Sequence, residues 1–150
     1  MTKTINEMKL VFDSKSSNEA FARSAVASFV VQLDPTIAEL SDIKTAVSEA
    51  VTNVVVHAYG DEIGSVYIKV QITENSSVII QVKDKGIGIE DIEKAMQPMF
   101  TTGGSERAGL GFAVMQSFMD KVKVVSKVGK GTSVTMEKYI MPKISAKKSV

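Results

Sequence analysis

The stretch SEAVTNVVVHAY, residues 48–59, places a carboxylate and an amide one helical turn apart. Glu49 and Asn53 are four residues apart, and side chains at this spacing lie on one face of an α-helix. Apolar residues at helical spacing run beside them through residues 37–54, so the pair is expected to face the protein body or a cleft in it. A carboxylate can accept a proton, and an amide oxygen is a hard ligand suited to Mg²⁺.

A turn of sequence DKGIG, residues 84–88, follows a predicted strand. It opens a stretch, residues 86–131, that holds eight of the ten glycines of the chain. Glycine has no Cβ and adopts positive φ readily. The main chain at Gly86 and Gly88 is therefore expected to pass close to a flat base or a phosphate.

A second glycine pair, Gly109 and Gly111, flanks Leu110, where a helix is predicted to begin. The free N–H groups and the positive dipole of a helix N-terminus bind anions, so phosphate oxygens would fit there. The GxxxxGK[ST] pattern is absent, and no GxGxxG follows a strand. The glycine turns and the helix with Glu49 together predict an ATP site that contains neither of these two motifs.

The predicted elements follow the order strand, two helices, hairpin, loop, helix and hairpin. Ser16 and Glu19 have the spacing of a capping box, which predicts the start of the first helix, and Pro35 separates the two helices. Residues 99–108 are predicted to form a mobile loop of the kind that closes over ligands. One domain over residues 1–150 is expected, an α/β (α+β) two-layer sandwich whose mixed, largely antiparallel sheet is covered on one face by helices.

The composition is that of an ordinary globular protein, with 44% hydrophobic and 23% charged residues. The 18 basic and 17 acidic residues leave a net charge of +1, which does not favour direct binding of nucleic acid. Cysteine is absent, which excludes disulfides and thiolate chemistry and agrees with a reducing cytoplasm. No apolar signal core or membrane-length segment is found, so a cytoplasmic location without membrane contact is expected.

The ordered set of motifs resembles the GHKL superfamily of ATPases and kinases. It consists of Glu-x-x-x-Asn on a helix, Asp-x-Gly-x-Gly, a loop ending in Gly-x-Gly, and a late Gly-x-Gly-Thr, and it covers residues 41–132. Residues 6–59, from NEMKLVFDSK to VVVHAY, closely resemble the sporulation serine kinases of the anti-sigma-F type, so the likeness extends over nearly the full chain. The resemblance implies the Bergerat ATP-binding fold of that superfamily.

The resemblance also implies roles for individual residues. Glu49 would be the general base, Asn53 the ligand of Mg²⁺, and Asp84 the acceptor for the exocyclic amine of adenine. Arg107 is added as a contact to the γ-phosphate on the basis of its charge alone. The remaining residues expected to bind ATP or ADP are Gly86, Gly88, Thr101, Thr102, Gly109, Leu110, Gly111 and Thr132.

Three functions fit this constellation. The first is an anti-sigma factor that binds a sigma factor of the sigma-F type and phosphorylates a serine of an anti-anti-sigma protein, with Arg23 on the first helix as a partner contact and a homodimer as the implied assembly. The second is an ATPase in which Glu49 activates water, and the third is a module that binds proteins under nucleotide control. His57, the single histidine, is expected to be a packed or hydrogen-bonded residue rather than a catalytic one.

Overall fold

The computed structural model describes residues 2–96 and 111–141. Strand β1 is followed by helices α1 and α2, the hairpin of β2 and β3, the short helices α3 and α4, and the hairpin of β4 and β5. A π-helical turn, Val54–Ala58, continues α2. The bounds are β1 Thr4–Asp13, α1 Glu19–Val30, α2 Ile37–Asn53, β2 Ser65–Thr73, β3 Ser77–Lys83, α3 Ile92–Met96, α4 Phe112–Phe118, β4 Lys121–Lys127 and β5 Gly131–Tyr139.

The five strands form one sheet in the order β1-β2-β3-β5-β4. Every pairing between described strands is antiparallel, so the part of the chain that the structure describes contains no parallel pair where a mixed sheet was expected. β1 and β4 lie at the two edges. The two-layer α/β architecture predicted from the sequence is confirmed.

One face of the sheet is buried beneath the helices. Along β2 the even-numbered residues from Val66 to Ile72 are buried and the residues between them are partly exposed, as the period of two predicts. The apolar face of α2, with Val47 and Val51 fully buried, packs into the same core. Within residues 2–96 and 111–141, no helix combines the length and the apolar character needed to cross a bilayer.

The capping box predicted at Ser16 and Glu19 is wrong. Residues Ser16–Asn18 form a 3₁₀ turn, and α1 begins at Glu19 without a side-chain hydrogen bond from its N-cap residue, Asn18. The amide of Asn18 instead donates to the carbonyl oxygen of Asp13 at 2.9 Å. The side chain of Asn18 thus stabilises the bend that follows β1 and does not cap the N-terminus of α1.

The capping box of this protein lies at the start of α2. The hydroxyl of Thr36 accepts the Glu39 N–H at 3.0 Å, and the Glu39 carboxylate accepts the Thr36 N–H at 2.8 Å. Two backbone donors that helix geometry leaves without partners are therefore satisfied. The spacing of Thr36 and Glu39 matches the motif as well as the spacing at Ser16 does. Only the three-dimensional context of the chain separates the two sites.

Glu39 also joins α2 to the end of the last strand. Its second carboxylate oxygen accepts the backbone N–H of Met141 at 2.9 Å, and Lys138 forms an ion pair with Asp42 at 3.3 Å. Burial raises the pKa of Glu39, but the hydrogen bonds from Met141 and Thr36 and the nearby charge of Lys138 outweigh it, and the pKa lies below its usual value. The ionised form of Glu39 therefore stabilises the fold.

We expect Glu39→Gln to lower the free energy of unfolding at neutral pH by about 0.5 kcal/mol, the usual size of a charge effect at a helix N-terminus. Because the folded pKa is lowered, the contribution of Glu39 is fully present above the ordinary pKa of 4.5 and is lost as the pH falls through the folded value. Urea unfolding at neutral and acidic pH measures both effects. Glu90→Gln, at an exposed position, is the control, and a difference that persists in acid would contradict the assignment.

Candidate nucleotide-binding site

A cavity of about 230 Å³ lies between the end of α2 and the sheet. Its walls are largely apolar, and a few polar side chains are set into them, as is usual for small-molecule sites. Of the residues predicted from sequence, Asn53, Asp84, Gly88 and Thr132 line it. The full lining is Ala50, Asn53, Val54, His57, Ala58, Val82, Asp84, Ile87, Gly88, Ile89, Phe112, Thr132 and Val134.

Asp84 is the acidic residue in the wall of the cavity, and it is 6% exposed. Its Oδ1 accepts the N–H of Gly86 at 2.9 Å and the N–H of Thr132 at 3.2 Å. Burial raises the pKa of this carboxyl, and the two backbone hydrogen bonds oppose the rise. Both hydrogen bonds fall on Oδ1, which leaves Oδ2 as the oxygen that can accept a hydrogen bond from a ligand.

The turn after Asp84 packs directly on the end of α2. Ile87 donates its N–H to the carbonyl oxygen of Ala58 at 2.8 Å. A Cβ on Gly86 would overlap that same carbonyl, so only glycine fits at this position. Gly86 therefore faces the protein backbone and does not line the cavity, in contrast to the close approach to a ligand expected from the sequence.

Tyr59 is a structural residue of the site that sequence reasoning missed. Its hydroxyl donates to the carbonyl oxygen of Ser65 at 2.6 Å and accepts the N–H of Lys85 at 2.9 Å. The side chain thus ties the turn that follows Asp84 to the start of β2. Tyr59 ends the stretch SEAVTNVVVHAY, but the sequence contains no indication of its hydrogen-bond partners.

Ser126 is a second residue that sequence reasoning missed. It is paired with Thr132 across strands β4 and β5, and the two hydroxyl oxygens are 2.8 Å apart. Ser126 also accepts the N–H of Ile89 at 2.7 Å and lies 3.1 Å from the carbonyl oxygen of Gly131. In the structure Ser126 is partly buried on the same face of β4 as Val122 and Val124, and the sequence contains no indication of its partners.

Glu49 and Asn53 are on successive turns of α2 and border different spaces. Asn53 lines the cavity, whereas Glu49 lies at one end of a groove between α1 and α2. Glu49 is partly buried and lies against Gly111, where φ is 69° and an added Cβ would overlap the carboxylate oxygen Oε1. Helix α4 begins at Phe112, directly after this contact and two residues later than predicted.

Comparison with known proteins places the chain in a family. A family model described as a histidine kinase-like ATPase domain matches residues 12–138. An anti-sigma F factor of Caldanaerobacter subterraneus subsp. tengcongensis is 60% identical over 136 residues, which cover 90% of this chain and 94% of the relative. The chain belongs to the anti-sigma F family of histidine kinase-like ATPase domains.

Other members of the anti-sigma F family agree with this assignment. The anti-sigma F factor of Clostridium acetobutylicum is 53% identical over 134 residues, which cover 89% of this chain and 93% of the relative. Among solved structures, the RsbU and RsbW domains of a Mycobacterium tuberculosis protein have a TM-score of 0.66 at 16% identity, over 91% of this chain and 32% of that one. A blue-light activated histidine kinase of Erythrobacter litoralis has a TM-score of 0.59 at 20% identity, over 85% and 42% of the two chains. At these identities, the structural likeness concerns the fold alone.

Five of the predicted site residues lie outside the residues that the structure describes. The sequence predicts a loop and a glycine turn for this segment, and the five residues are Thr101, Thr102, Arg107, Gly109 and Leu110. The nucleotide-binding roles of these five residues stay predictions. The same holds for the phosphate site expected at the start of the helix after Gly109.

Arg23, the predicted partner contact, lies in the groove between α1 and α2. Its guanidinium donates to the hydroxyl of Ser48 at 3.0 Å, and the side chain is partly exposed. The groove has a volume of about 570 Å³ and includes Lys44 as well as Glu49 at its end. In this member of the anti-sigma F family, one open groove therefore contains both the predicted partner contact and the predicted catalytic carboxylate.

We expect Asp84→Asn to separate folding from nucleotide binding. Because burial raises the folded pKa of Asp84, the ionised carboxylate costs folding free energy above that pKa, and the cost is relieved as the pH falls through it. The amide can keep both backbone hydrogen bonds through its oxygen. The variant should therefore be at least as stable as the wild type at neutral pH without nucleotide, and this advantage should shrink in acid.

The affinity of Asp84→Asn for ATP should fall about 10- to 100-fold, the equivalent of one charge-assisted hydrogen bond. Thermal unfolding and titration calorimetry measure the two quantities on the same samples. Asp61→Asn, in the exposed loop before β2, is the control. An unchanged affinity for ATP would show that Asp84 does not bind the adenine base. A large loss of stability would show that its role is structural.

Proposed function

We propose that this protein is an anti-sigma factor that binds a sigma factor of the sigma-F type and uses Mg-ATP to phosphorylate a serine of its anti-anti-sigma antagonist. The observation that carries the proposal is that Asp84 and Asn53 line one cavity, while Glu49, one helical turn before Asn53 on α2, lies in the groove. The anti-sigma F names of relatives at 53% to 60% identity support the partners. A cytoplasmic location follows from these partners.

The cavity would take the adenine base. Asp84 Oδ2 would accept a hydrogen bond from the exocyclic amine, and guanine presents a carbonyl oxygen at that position. The apolar walls, such as Val54 and Ile89, would cover the faces of the ring. Because Asp84 is held by two backbone N–H groups, its carboxylate is oriented before the ligand arrives.

The phosphates would extend from the cavity along α2 toward Glu49. Asn53 lies one turn from Glu49, and its amide oxygen is the hard donor that a hexacoordinate cation prefers. Bound there with the phosphates of ATP, Mg²⁺ would neutralise the charge that develops during transfer. Among the described residues, no group of three or more acidic or histidine side chains could hold a metal ion, so the nucleotide would supply the remaining ligands.

Glu49 would act as the general base. Its carboxylate accepts the proton of the serine hydroxyl while that oxygen attacks the γ-phosphorus, the bond to the β-γ bridging oxygen breaks, and ADP leaves. Gly111 would fix the position of Glu49 because its missing Cβ makes room for Oε1. The groove beside Glu49 is open to a protein chain, which favours a hydroxyl of a protein as the acceptor over water.

The groove with Arg23 would be the surface on which protein partners bind. A segment lying along it would contact Arg23 and Lys44 and place its serine near Glu49. A homodimer would use the exposed edge of the sheet at β1, since unpaired strand edges readily pair with another chain. Size-exclusion chromatography with light scattering measures this assembly.

The phosphotransfer assay separates this function from its alternatives. Glu49→Gln should bind Mg-ATP with unchanged affinity but lose at least about 100-fold in transfer of labelled phosphate to the anti-anti-sigma protein, because it removes the proton acceptor. Glu62→Gln, at an exposed position, is the control. Free phosphate without labelled partner would favour an ATPase, and bound but unconverted ATP would favour a binding module. Retained transfer in Glu49→Gln would refute Glu49 as the base.

A second variant tests the positioning of the base. Gly111→Ala should reduce phosphotransfer by on the order of 100-fold, because the new methyl group must displace the Glu49 carboxylate. Gly129→Ala is a matched control, since Gly129 also has a positive φ, of 81°, but no atom of the described residues lies within 4 Å of an added Cβ. Equal losses in both variants would mean that backbone strain, and not Glu49, accounts for the effect.

A further inference from the structure

The face of the sheet that turns away from the helices contains a basic groove, which we call the sheet groove. It has a volume of about 290 Å³ and crosses β1, β2 and β3. Val82 lines the nucleotide cavity, whereas its strand neighbours Gln81 and Lys83 line the sheet groove, so the two spaces lie on opposite faces. Within residues 2–96 and 111–141, no acidic residue lines the sheet groove, and its charged lining residues are Lys9, Lys69, Lys83 and Lys85.

Two of these lysines face each other across neighbouring strands. Lys9 of β1 and Lys69 of β2 are direct partners in the antiparallel ladder, so their side chains leave the same face of the sheet. Like charges in directly opposite positions destabilise a sheet. The ion pair of Lys9 with Glu7 joins two exposed side chains at 3.8 Å, and a pair of this kind offsets little of the repulsion. An anion bound between the two amino groups would remove it.

The other two lysines surround Tyr67. Lys83 is the partner of Tyr67 across β2 and β3, and the amino group of Lys85 lies 5.0 Å from the centroid of the Tyr67 ring. A cation is attracted to the face of an aromatic ring, so this contact holds Lys85 over the sheet groove. Gln81, the partner of Lys69, adds an amide that can donate hydrogen bonds. Positive charge and hydrogen-bond donors therefore converge on one concave surface.

Carboxylates limit the extent of this basic surface. On the same face of the sheet, Glu7 and Asp13 lie on either side of Lys9 along β1, and Glu137 lies on β5 opposite Ile79 of β3. A nucleic acid has phosphates in a continuous row and would extend from the sheet groove onto these carboxylates. The net charge of the chain is +1, whereas a nucleic-acid-binding domain is usually strongly basic. A short segment with a few negative side chains fits within the boundary.

We propose that the sheet groove is a docking site for a short acidic segment of a partner protein. Carboxylates of this segment bind between Lys9 and Lys69 and beside Lys83 and Lys85, where charge complementarity favours them. The inference does not depend on the proposed function, because the nucleotide cavity lies on the other face of the sheet.

A titration followed by two-dimensional NMR measures this interaction on the full chain. The probe is a short blocked peptide of alternating glutamate and threonine, and the same peptide with glutamine in place of glutamate is its control. The acidic peptide should shift the amide signals of Tyr67 and Gln81 and should bind at least about tenfold more tightly than the control peptide. The double variant Lys69→Gln/Lys83→Gln should bind the acidic peptide about tenfold more weakly, as expected for two exposed charge pairs.

The matched control is the double variant Lys121→Gln/Lys123→Gln. It makes the same change in net charge on the same face of the sheet, but β4 is three strand positions from β2, a separation of about 14 Å. At an ionic strength of about 0.1 M this separation exceeds the Debye length of about 10 Å, so the control should change the affinity by less than about twofold.

Each outcome of the titration decides the inference. Binding that the sheet-groove variant loses and the β4 variant keeps supports the docking site. Equal losses in the two double variants would show that the peptide responds to net charge alone, and this result, like a wild type that does not bind the acidic peptide, overturns the inference. An oligothymidylate that binds more tightly than the peptide and is lost in the same variant would show a nucleic-acid surface, which overturns the acidic segment as the occupant.

Thermal unfolding tests the repulsion in the free protein and shows whether the variants fold. Lys69→Gln should raise the Tm by about 1–3 °C, because it removes the like charge opposite Lys9. Lys123→Gln, whose partner across β4 and β5 is Thr135, is the control and should change the Tm by less than about 1 °C. A lower Tm in Lys69→Gln would contradict the repulsion on which the inference rests.

Discussion

The contact between the carbonyl of Ala58 and the turn at Gly86 and Ile87 is the constraint on which the site depends. It joins the π-helical end of α2 to the loop that leaves β3, and its hydrogen bond is 2.8 Å long. A side chain at Gly86 would push the two apart. Because Asp84 stands two residues before this contact and Asn53 five residues before Ala58, their relative positions follow from it. Tyr59 reinforces the same junction from the next residue.

Burial of Asp84 is unfavourable for folding and useful for binding. A carboxylate in an apolar wall loses hydration, and this loss raises the pKa of Asp84. Two backbone N–H groups offset part of it and at the same time orient the carboxylate. The apolar surroundings lower the local dielectric constant, which would strengthen a hydrogen bond from the free oxygen to a ligand. In the proposed function, the same burial would lower stability and raise selectivity.

Local patterns predicted the elements and placed the candidate site residues on them, but they did not predict the contacts between distant segments. Helical spacing was enough to place Glu49 and Asn53 on α2, and the period of two was enough for the strands. The packing of Gly86 on Ala58 was not predicted, because Ala58 is remote from it in sequence. Ser126 and Tyr59 were missed for the same reason, since the hydrogen-bond partners of a hydroxyl group cannot be known until the fold brings them near. The capping box was misplaced because Ser16 and Thr36 match its spacing equally well, and only the fold distinguishes them.

The Glu-x-x-x-Asn motif on α2 suggests one shared site, but its two residues, Glu49 and Asn53, border different spaces. Residues one turn apart share a face, yet Asn53 borders the enclosed cavity and Glu49 the open groove, because the wall between the two spaces falls between their turns. The polar groups around Asp84 are fixed by backbone and cross-strand hydrogen bonds, so the base end is rigid before nucleotide binds. The groove contains the partly exposed Arg23, whose guanidinium donates to the Ser48 hydroxyl. In the proposed function, the base site would select by shape and hydrogen bonding, whereas a second protein lying in the groove would complete it. If the phosphates extend along α2, recognition of nucleotide and recognition of protein meet at Glu49.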